Sequence, residues 1–321
     1  MAVFTEVPLA DAERLVARLN LGRLQALRGI TAGIENSNFF LTCERDGHER
    51  EFVLTLFERL TFEQLPFYLH LMKHLARKGI SVPEPQADDR GELLHRVCGK
   101  PAAVVDKLAG GHEMAPDVQH CEQVGAALAR MHGAAVDFPL FQPNLRGIDW
   151  WRETVPQVLP HVDASQRRLL ESELAFQIAL AASPAHAALP RGPIHADLFR
   201  DNVMFDGGKL AGFFDFYFAG VDTWLFDIAV CLNDWCIDID SGRLDDTRAA
   251  AFVAAYEAVR PLTAGEHRLL PAVLRSAAFR FWLSRLWDLH LPRQASLLQA
   301  HDPAHFERVL RERIERAWHG V

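Results

Sequence analysis

The stretch that decides the fold is residues 193–216, PIHADLFRDNVMFDGGKLAGFFDF. It opens with a polar loop, residues 195–202, and continues with two apolar runs, residues 203–205 and 210–214. Asp206-Gly207-Gly208 separates the two runs and is a tight-turn signal, because glycine adopts the positive φ angles that short hairpin turns require. The pattern therefore predicts a β-hairpin that begins where the polar loop ends.

Three oxygen-bearing side chains flank this predicted hairpin. Asp197 and Asn202 lie on the loop, and the hairpin would fold Asp215 back beside them. Phosphoryl transfer from ATP needs such a set, since one carboxylate accepts the proton of the attacking hydroxyl while a second carboxylate and an amide oxygen hold Mg²⁺. Each residue alone is more typical of a helix cap or a solvated loop. The whole set favours catalysis, with Asp197 as the base and Asn202 and Asp215 as the metal ligands.

The spacing H-x-D-x-x-x-x-N, followed by a strand pair and D-F, matches the catalytic loop and the metal-binding Asp of kinase-like folds. It resembles the aminoglycoside phosphotransferase and choline kinase branch, whose members act on small molecules. The resemblance implies that His195 supports the loop and that Asp227 braces its backbone; a helix N-terminal acid is the alternative for Asp227. Arg200 is predicted to offset the charge of the transferred phosphoryl group, or else to pair with Asp201.

Composition limits the classes of function. A chain of 321 residues with 49% hydrophobic residues is long enough for two lobes. The net charge of −8 argues against nucleic acid as a partner.

No apolar run reaches the length of a membrane span, and the acidic N-terminus is not a signal peptide. The five cysteines show no C-x-x-C spacing, which is typical of reduced thiols in the cytoplasm. Nothing in the sequence indicates an oligomeric state.

A strand–loop–strand pattern near the N-terminus is the expected cover for the ATP phosphates. The loop lies between strands predicted at residues 24–30 and 39–43. Small residues let backbone N–H groups approach phosphate oxygens. The candidates for this contact are Gly33, Asn36, Ser37 and Asn38. Asn and Ser are also ordinary turn formers, and the loop is not G-x-G-x-x-G, so its interpretation depends on the Asp197 set downstream.

The next predicted strand, residues 51–57, lacks an expected cation. Kinase-like folds usually carry a Lys on this strand for the α- and β-phosphates. Thr55 occupies the corresponding place, and the strand has no Lys. Two possibilities follow: Arg59 takes part of the role, or the phosphates rely on Mg²⁺ and backbone donors.

The hydrophobic pattern predicts an α+β, bilobal, kinase-like chain. Apolar spacing from Thr61 to Lys78 predicts an amphipathic helix capped by Thr61. Further strands are predicted at residues 92–97 and 102–108, and the chain beyond is mainly helical. The glycines in residues 108–112 indicate a linker, so the lobes are predicted as residues 1–110, which bind the nucleotide, and 111–321, which hold the catalytic and substrate-binding residues. Asp106 and the backbone around it are expected beside the adenine.

Charged residues after Asp215 are candidates for the acceptor. Asp222 is predicted to meet an ammonium group, with a solvated surface position as the alternative. Arg280 and Arg285 stand among aromatic residues of a predicted helix, residues 265–290. An Arg in such a setting is either stacked and ion-paired within the protein or available to a ligand carboxylate.

Longer strings narrow the resemblance. They are residues 33–40 (GIENSNFF), 53–60 (VLTLFERL), 63–68 (EQLPFY), 194–203 (IHADLFRDNV) and 214–220 (FDFYFAG). Together they resemble the homoserine kinases built on the aminoglycoside phosphotransferase fold, over roughly residues 1–315. The resemblance implies Mg²⁺- and ATP-dependent phosphorylation of the L-homoserine hydroxyl, for threonine synthesis. The residues by themselves leave two alternatives open, a kinase for another amino alcohol or sugar and a nucleotide-binding pseudokinase.

Overall fold

The computed structural model describes residues 4–30, 36–291 and 301–320. The chain divides into two units, which are described separately. Unit 1 comprises the chain up to Ala109 together with residues 212–217, and unit 2 comprises residues 110–211 and the chain from Phe218 onward. The predicted Gly33 contact lies outside the described residues.

Unit 1 is built on an antiparallel sheet of five strands in the order β1-β2-β3-β5-β4. Its elements are α1 (Leu9–Arg18), β1 (Arg23–Gly29), β2 (Ser37–Arg45), β3 (His48–Leu56), α2 (Pro66–Arg77), β4 (His95–Val97) and β5 (Lys100–Asp106). Alternate residues of β2 are buried, as the two-residue period of a strand requires. Leu41, Leu54 and Val104 are fully buried in the unit's core, and this packing fixes the register of the central strands.

Helix α2 begins later than the apolar spacing predicts. Residues 61–65 form a turn in which the N–H of Leu65 donates to the carbonyl of Thr61, and the helix starts at Pro66. Thr61 therefore does not cap the helix. Proline suits the first helical position because it has no N–H to leave unbonded there.

Unit 2 is mainly helical. Its elements are α3 (Val118–Ala135), α4 (Ile148–Val158), α5 (Ala164–Ala181), α6 (Pro184–Ala187), β6 (Arg191–Ile194), β7 (Val203–Asp206), β8 (Lys209–Phe213), β9 (Gly220–Thr223), α7 (Trp224–Trp235), α8 (Asp246–Glu257), α9 (Ala264–His290) and α10 (Pro303–Glu315). Strand β8 passes from unit 2 into unit 1 at Gly212. The predicted α+β kinase-like division, with a sheet-rich N-terminal part and a helical remainder, is confirmed.

The hairpin predicted from the central stretch is present. β7 and β8 form a two-stranded sheet, and Gly207 and Gly208 between them have φ angles of 54° and 78°. Two successive positive φ angles are those of the tight type I′ turn, which matches the twist of the strands. The polar loop therefore leads directly into a rigid two-stranded element.

The glycines of the predicted linker make an ordered contact. Gly111 exchanges two backbone hydrogen bonds with Phe205 of β7, at 2.8 and 2.9 Å. Gly110 has φ 84°, and a Cβ there would lie 2.0 Å from the Phe205 carbonyl oxygen. Only glycine fits this close approach, so the segment is anchored to the hairpin.

Candidate active site

The loop before the hairpin is held by one buried carboxylate. Asp227 of α7 accepts hydrogen bonds from the backbone N–H groups of His195 and Ala196, each at 2.8 Å. Ala196 has a left-handed φ of 65°, which costs a non-glycine residue about 1–3 kcal/mol. The two bonds offset this strain. Asp227 thus fixes the backbone directly before Asp197.

Asp227 is itself held by a buried polar chain across three helices. His132 Nε2 of α3 lies 3.1 Å from Asp227 Oδ2, and His132 Nδ1 lies 2.7 Å from the Tyr256 hydroxyl of α8. Burial lowers the pKa of His132. Burial alone would raise the pKa of Asp227, but His132 and the loop amides lower it overall. The ionised carboxylate only accepts, so His132 Nε2–H donates to it and Nδ1 accepts from Tyr256.

Asn202 is oriented as a cation ligand would need to be. Its side chain is buried in the short 3₁₀ turn of residues 200–202, and Nδ2 donates to the Asp197 carbonyl at 2.8 Å. This bond assigns the amide nitrogen to the protein and leaves Oδ1 as the atom for a cation.

Asp215, in unit 1, has a left-handed φ of 64° at the end of β8. An amide oxygen and a carboxylate are hard donors of the type that Mg²⁺ prefers.

The structure brings the predicted base and one predicted acceptor-binding residue together. Arg280 Nη1 of α9 lies 3.7 Å from Asp197 Oδ1. The Arg280 side chain is 4% exposed, and its guanidinium packs on the rings of Phe281 and Phe218. Burial lowers the pKa of Arg280 to about 10, against the opposing effect of Asp197. At neutral pH the side chain therefore remains a buried cation.

Arg200 is bonded extensively within the protein. Its backbone N–H and Nε both donate to Asp234 Oδ2, at 2.8 and 3.1 Å, and Nη1 donates to the Met114 carbonyl at 2.9 Å. Nη2 bonds the Asp234 carbonyl. The guanidinium is occupied by protein acceptors other than Asp201. Arg200 therefore ties the 3₁₀ turn to α7, and its contribution to phosphoryl transfer stays a prediction.

Asp222 is likewise committed to the protein. One oxygen accepts from Asn144 Nδ2 at 2.9 Å, and the other accepts from the Thr223 N–H at 2.7 Å and pairs with Arg191 at 3.4 Å. These contacts join β9 to its neighbouring loop. They give Asp222 a structural role, and the contact with an ammonium group stays a prediction.

Arg285 also has protein partners. Its Nη1 donates to the Asp302 carbonyl at 3.2 Å, and the guanidinium stacks on Phe306 of α10 at 4.5 Å. Burial lowers its pKa. The structure therefore supports the stacked, internal alternative for Arg285, while Arg280 keeps the features expected of a ligand-binding cation.

In unit 1, Thr55 of β3 belongs to a neutral polar pair. Its hydroxyl donates to Asn38 Oδ1 at 2.8 Å. The Tyr217 ring meets Phe57 edge-on, with ring centroids 4.9 Å apart. The place of the missing Lys is thus filled by an uncharged pair that joins β2 and β3.

The remaining predicted nucleotide contacts have mixed outcomes. The Ser37 hydroxyl is fully buried; it accepts from the N–H groups of residues 4 and 5 and donates to Glu58 at 2.6 Å, so its side chain is structural. Asn36 directly precedes β2.

The Asp106 carboxylate pairs with Arg50 and accepts from Gln86, both at 3.2 Å, and burial raises its pKa. Asp106 therefore serves the sheet.

Sequence reasoning missed two residues of this site. His132 lies within an apolar helical pattern, where a histidine is more typical of a core position, and Asp234 was one acid among several after Asp215. Neither has a local signal, because its partner is distant in sequence: His132 bonds Asp227, and Asp234 bonds Arg200.

Comparison with solved structures defines the class of fold. Amicoumacin kinase hAmiN in complex with AMP-PNP, Ca²⁺ and Ami superposes with a TM-score of 0.69 at 18% identity, covering 94% of this chain and 92% of that one. Choline kinase from Cryptosporidium parvum Iowa II gives a TM-score of 0.65 at 15% identity, covering 90% and 89%. The fold is therefore that of the kinase-like phosphotransferases.

The sequence comparisons identify the family. Residues 26–262 match the model of the phosphotransferase enzyme family. A homoserine kinase from Polaromonas naphthalenivorans is 63% identical, with 98% of both chains covered. A homoserine kinase from Cupriavidus necator is 58% identical, with 98% of this chain and 96% of the relative covered. The chain belongs to the phosphotransferase enzyme family, and the resemblance drawn from its motifs is confirmed.

The helices of the described part of the chain were also compared with what a membrane span requires. Within residues 4–30, 36–291 and 301–320, none has both the length and the apolar character to cross a bilayer.

Proposed function

We propose that the protein transfers the γ-phosphoryl group of ATP to the side-chain hydroxyl of L-homoserine, giving O-phospho-L-homoserine for threonine synthesis in the cytoplasm. The observation that carries the proposal is the braced loop: Asp227 fixes the backbone before Asp197, as catalysis by a positioned carboxylate requires. The choice of acceptor rests on the relatives named homoserine kinase, at 63% and 58% identity over nearly the whole chain.

In this mechanism the Asp197 carboxylate orients the homoserine hydroxyl and accepts its proton as the oxygen attacks phosphorus. Asn202 Oδ1 and the Asp215 carboxylate would hold Mg²⁺, which neutralises charge on the phosphates. Arg280, 3.7 Å from Asp197, keeps a positive charge beside the base. The nucleotide side is assigned to unit 1, with the adenine against the backbone of residues 105–108.

The test compares wild type with Asp197→Asn, using ATP, Mg²⁺ and L-homoserine, with the product identified by ³¹P NMR. Wild type is expected to form a phosphate monoester on the side-chain oxygen. Loss of a general base costs about 10²–10⁴-fold in turnover, so Asp197→Asn should lose that factor while ATP affinity is retained. Near wild-type turnover in the folded variant would remove Asp197 from the mechanism, and no phosphohomoserine from wild type would refute the function.

A further inference from the structure

Arg280 has hydrogen-bonding capacity that the described protein does not use. Its Nε and Nη2 atoms are buried and have no hydrogen-bond partner. Nη1 faces Asp197 at 3.7 Å, which is an ion pair longer than a hydrogen bond. A buried donor without an acceptor costs a fold part of its stability. An Arg retained at this cost, beside the catalytic carboxylate, points to an acceptor group supplied by a ligand.

The surroundings of Arg280 favour an anionic ligand group. Arg146 and Arg280 both lie over the ring of Phe218, at 5.9 and 5.0 Å from its centroid. Burial is the main cause that lowers the pKa of Arg280; the charge of Asp197 raises this pKa, and the charge of Arg146 lowers it further. Two cations that share one aromatic ring repel each other, so a negative charge added between the two guanidiniums would be stabilised.

We propose that Arg280 binds the carboxylate of the amino-acid acceptor and thereby determines specificity; this inference rests on the proposed function. A guanidinium presents a planar fork of N–H donors that matches the two oxygens of a carboxylate. The unpartnered nitrogens of Arg280 supply such donors, and its contact with Asp197 limits the separation between a bound carboxylate and the reacting hydroxyl. A short hydroxy amino acid has both a carboxylate for these donors and a hydroxyl within reach of Asp197. An amino alcohol has the hydroxyl but no carboxylate.

The test is a cycle of two acceptors and two proteins. L-Homoserine is compared with 3-aminopropan-1-ol, which keeps the ammonium and the hydroxyl but lacks the carboxylate, in wild type and in Arg280→Gln. Wild type should prefer homoserine. In the variant, kcat/KM for homoserine should fall roughly 100-fold further than kcat/KM for the amino alcohol, as expected for losing a charge-assisted bidentate contact that only homoserine makes. Arg268→Gln, at an exposed position of α9, is the matched control and should preserve the wild-type preference.

Equal losses for both acceptors would overturn the proposal, because they would mean that Arg280 acts only on Asp197 or on the transferred phosphoryl group. Equal use of both acceptors by wild type would overturn it as well. Arg280→Lys keeps the buried charge but lacks the planar set of N–H donors, so it replaces Arg280→Gln if that variant does not fold. The affinity of Arg280→Lys for 4-hydroxybutanoate should fall about ten-fold. An unchanged affinity would count against the proposal.

Binding distinguishes failure of this inference from failure of the proposed function. Calorimetry with 4-hydroxybutanoate needs no turnover. If wild type binds this ligand in an Arg280-dependent way but does not phosphorylate homoserine, the carboxylate site stands and the proposed function falls. If homoserine is phosphorylated but Arg280 does not affect carboxylate binding, the proposed function stands and this inference falls.

Discussion

At the scale of single residues, the backbone is unusual at the carboxylates proposed as the base and as a metal ligand. Ala196, directly before Asp197, and Asp215 itself have φ angles of 65° and 64°. Non-glycine residues adopt this conformation only where the surroundings determine it strongly. For Ala196 those surroundings are the two hydrogen bonds to Asp227. The strain therefore lies where the proposed base and the proposed metal ligand must be aimed.

A first prediction concerns Thr55, which replaces the usual strand Lys. Thr55→Val keeps the β-branched shape and removes the hydroxyl that donates to Asn38. Loss of a neutral hydrogen bond is worth about 1 kcal/mol, so the dissociation constant for ATP, measured by calorimetry, should rise only a few-fold. A loss of several orders of magnitude would mean that Thr55 contacts the nucleotide itself.

Single residues also mark the limit of sequence-based prediction. Asp227 was assigned from its family context, and the structure places it against the loop. Arg200 and Asp222 were interpreted from neighbours in sequence, but their partners lie far along the chain, at Asp234 and Asn144. Partner choice of this kind depends on tertiary packing, which composition and spacing do not encode locally.

At the scale of elements, α3, α7 and α8 act together on the catalytic loop. The chain from Tyr256 through His132 to Asp227 is wholly buried. A buried polar network is stabilising only when each member is satisfied. The loop geometry therefore depends on the packing of three helices. Within this series of hydrogen bonds, only Asp227 of α7 contacts the loop directly.

This chain predicts a pH dependence of stability. Burial holds the pKa of His132 below its ordinary value, so the unfolded chain takes up a proton there as pH falls through about 6.5 while the folded chain does not. The stability contribution of neutral His132 is therefore complete above about pH 6.5 and declines below it. For one proton the slope reaches about 1.4 kcal/mol per pH unit.

The measurement is the free energy of unfolding from urea titrations between pH 5 and 8. His132→Gln should be less stable than wild type throughout and should show a shallower decline below pH 6.5. His48→Gln, at an exposed position of β3, is the control and should follow the wild-type slope. An unchanged slope in His132→Gln would show that this histidine does not remain neutral in the folded protein.

Elements also differ in how well the sequence predicts them. The β7–β8 hairpin follows from two adjacent glycines, a local signal that no distant contact has to reinforce. The start of α2 was placed several residues too early, because the apolar spacing continues across residues 61–65 while Pro66 sets the first turn. Periodicity predicts that an element exists, and its ends depend on caps and proline.

At the scale of the whole molecule, the chain returns to unit 1 long after leaving it. Residues 212–217, which include Asp215, belong with the N-terminal sheet, whereas Asp197, Asn202 and Arg280 belong to unit 2. A division at a single residue does not include this return, which involves a backbone hydrogen bond of 2.9 Å from the Phe213 N–H to the Ser81 carbonyl. Each unit thus carries its own part of the proposed chemistry.

The identity of the acceptor is the central claim, and one assay tests it most directly. ATP consumption is measured with L-homoserine, L-serine, L-threonine, choline, ethanolamine and an aminoglycoside in turn. Homoserine should give the highest kcat/KM, and choline and ethanolamine should be poor acceptors because neither has a carboxylate for the unpartnered donors of Arg280. The account would be contradicted if choline or the aminoglycoside gave the highest value with homoserine at background, or if no acceptor increased ATP consumption at all.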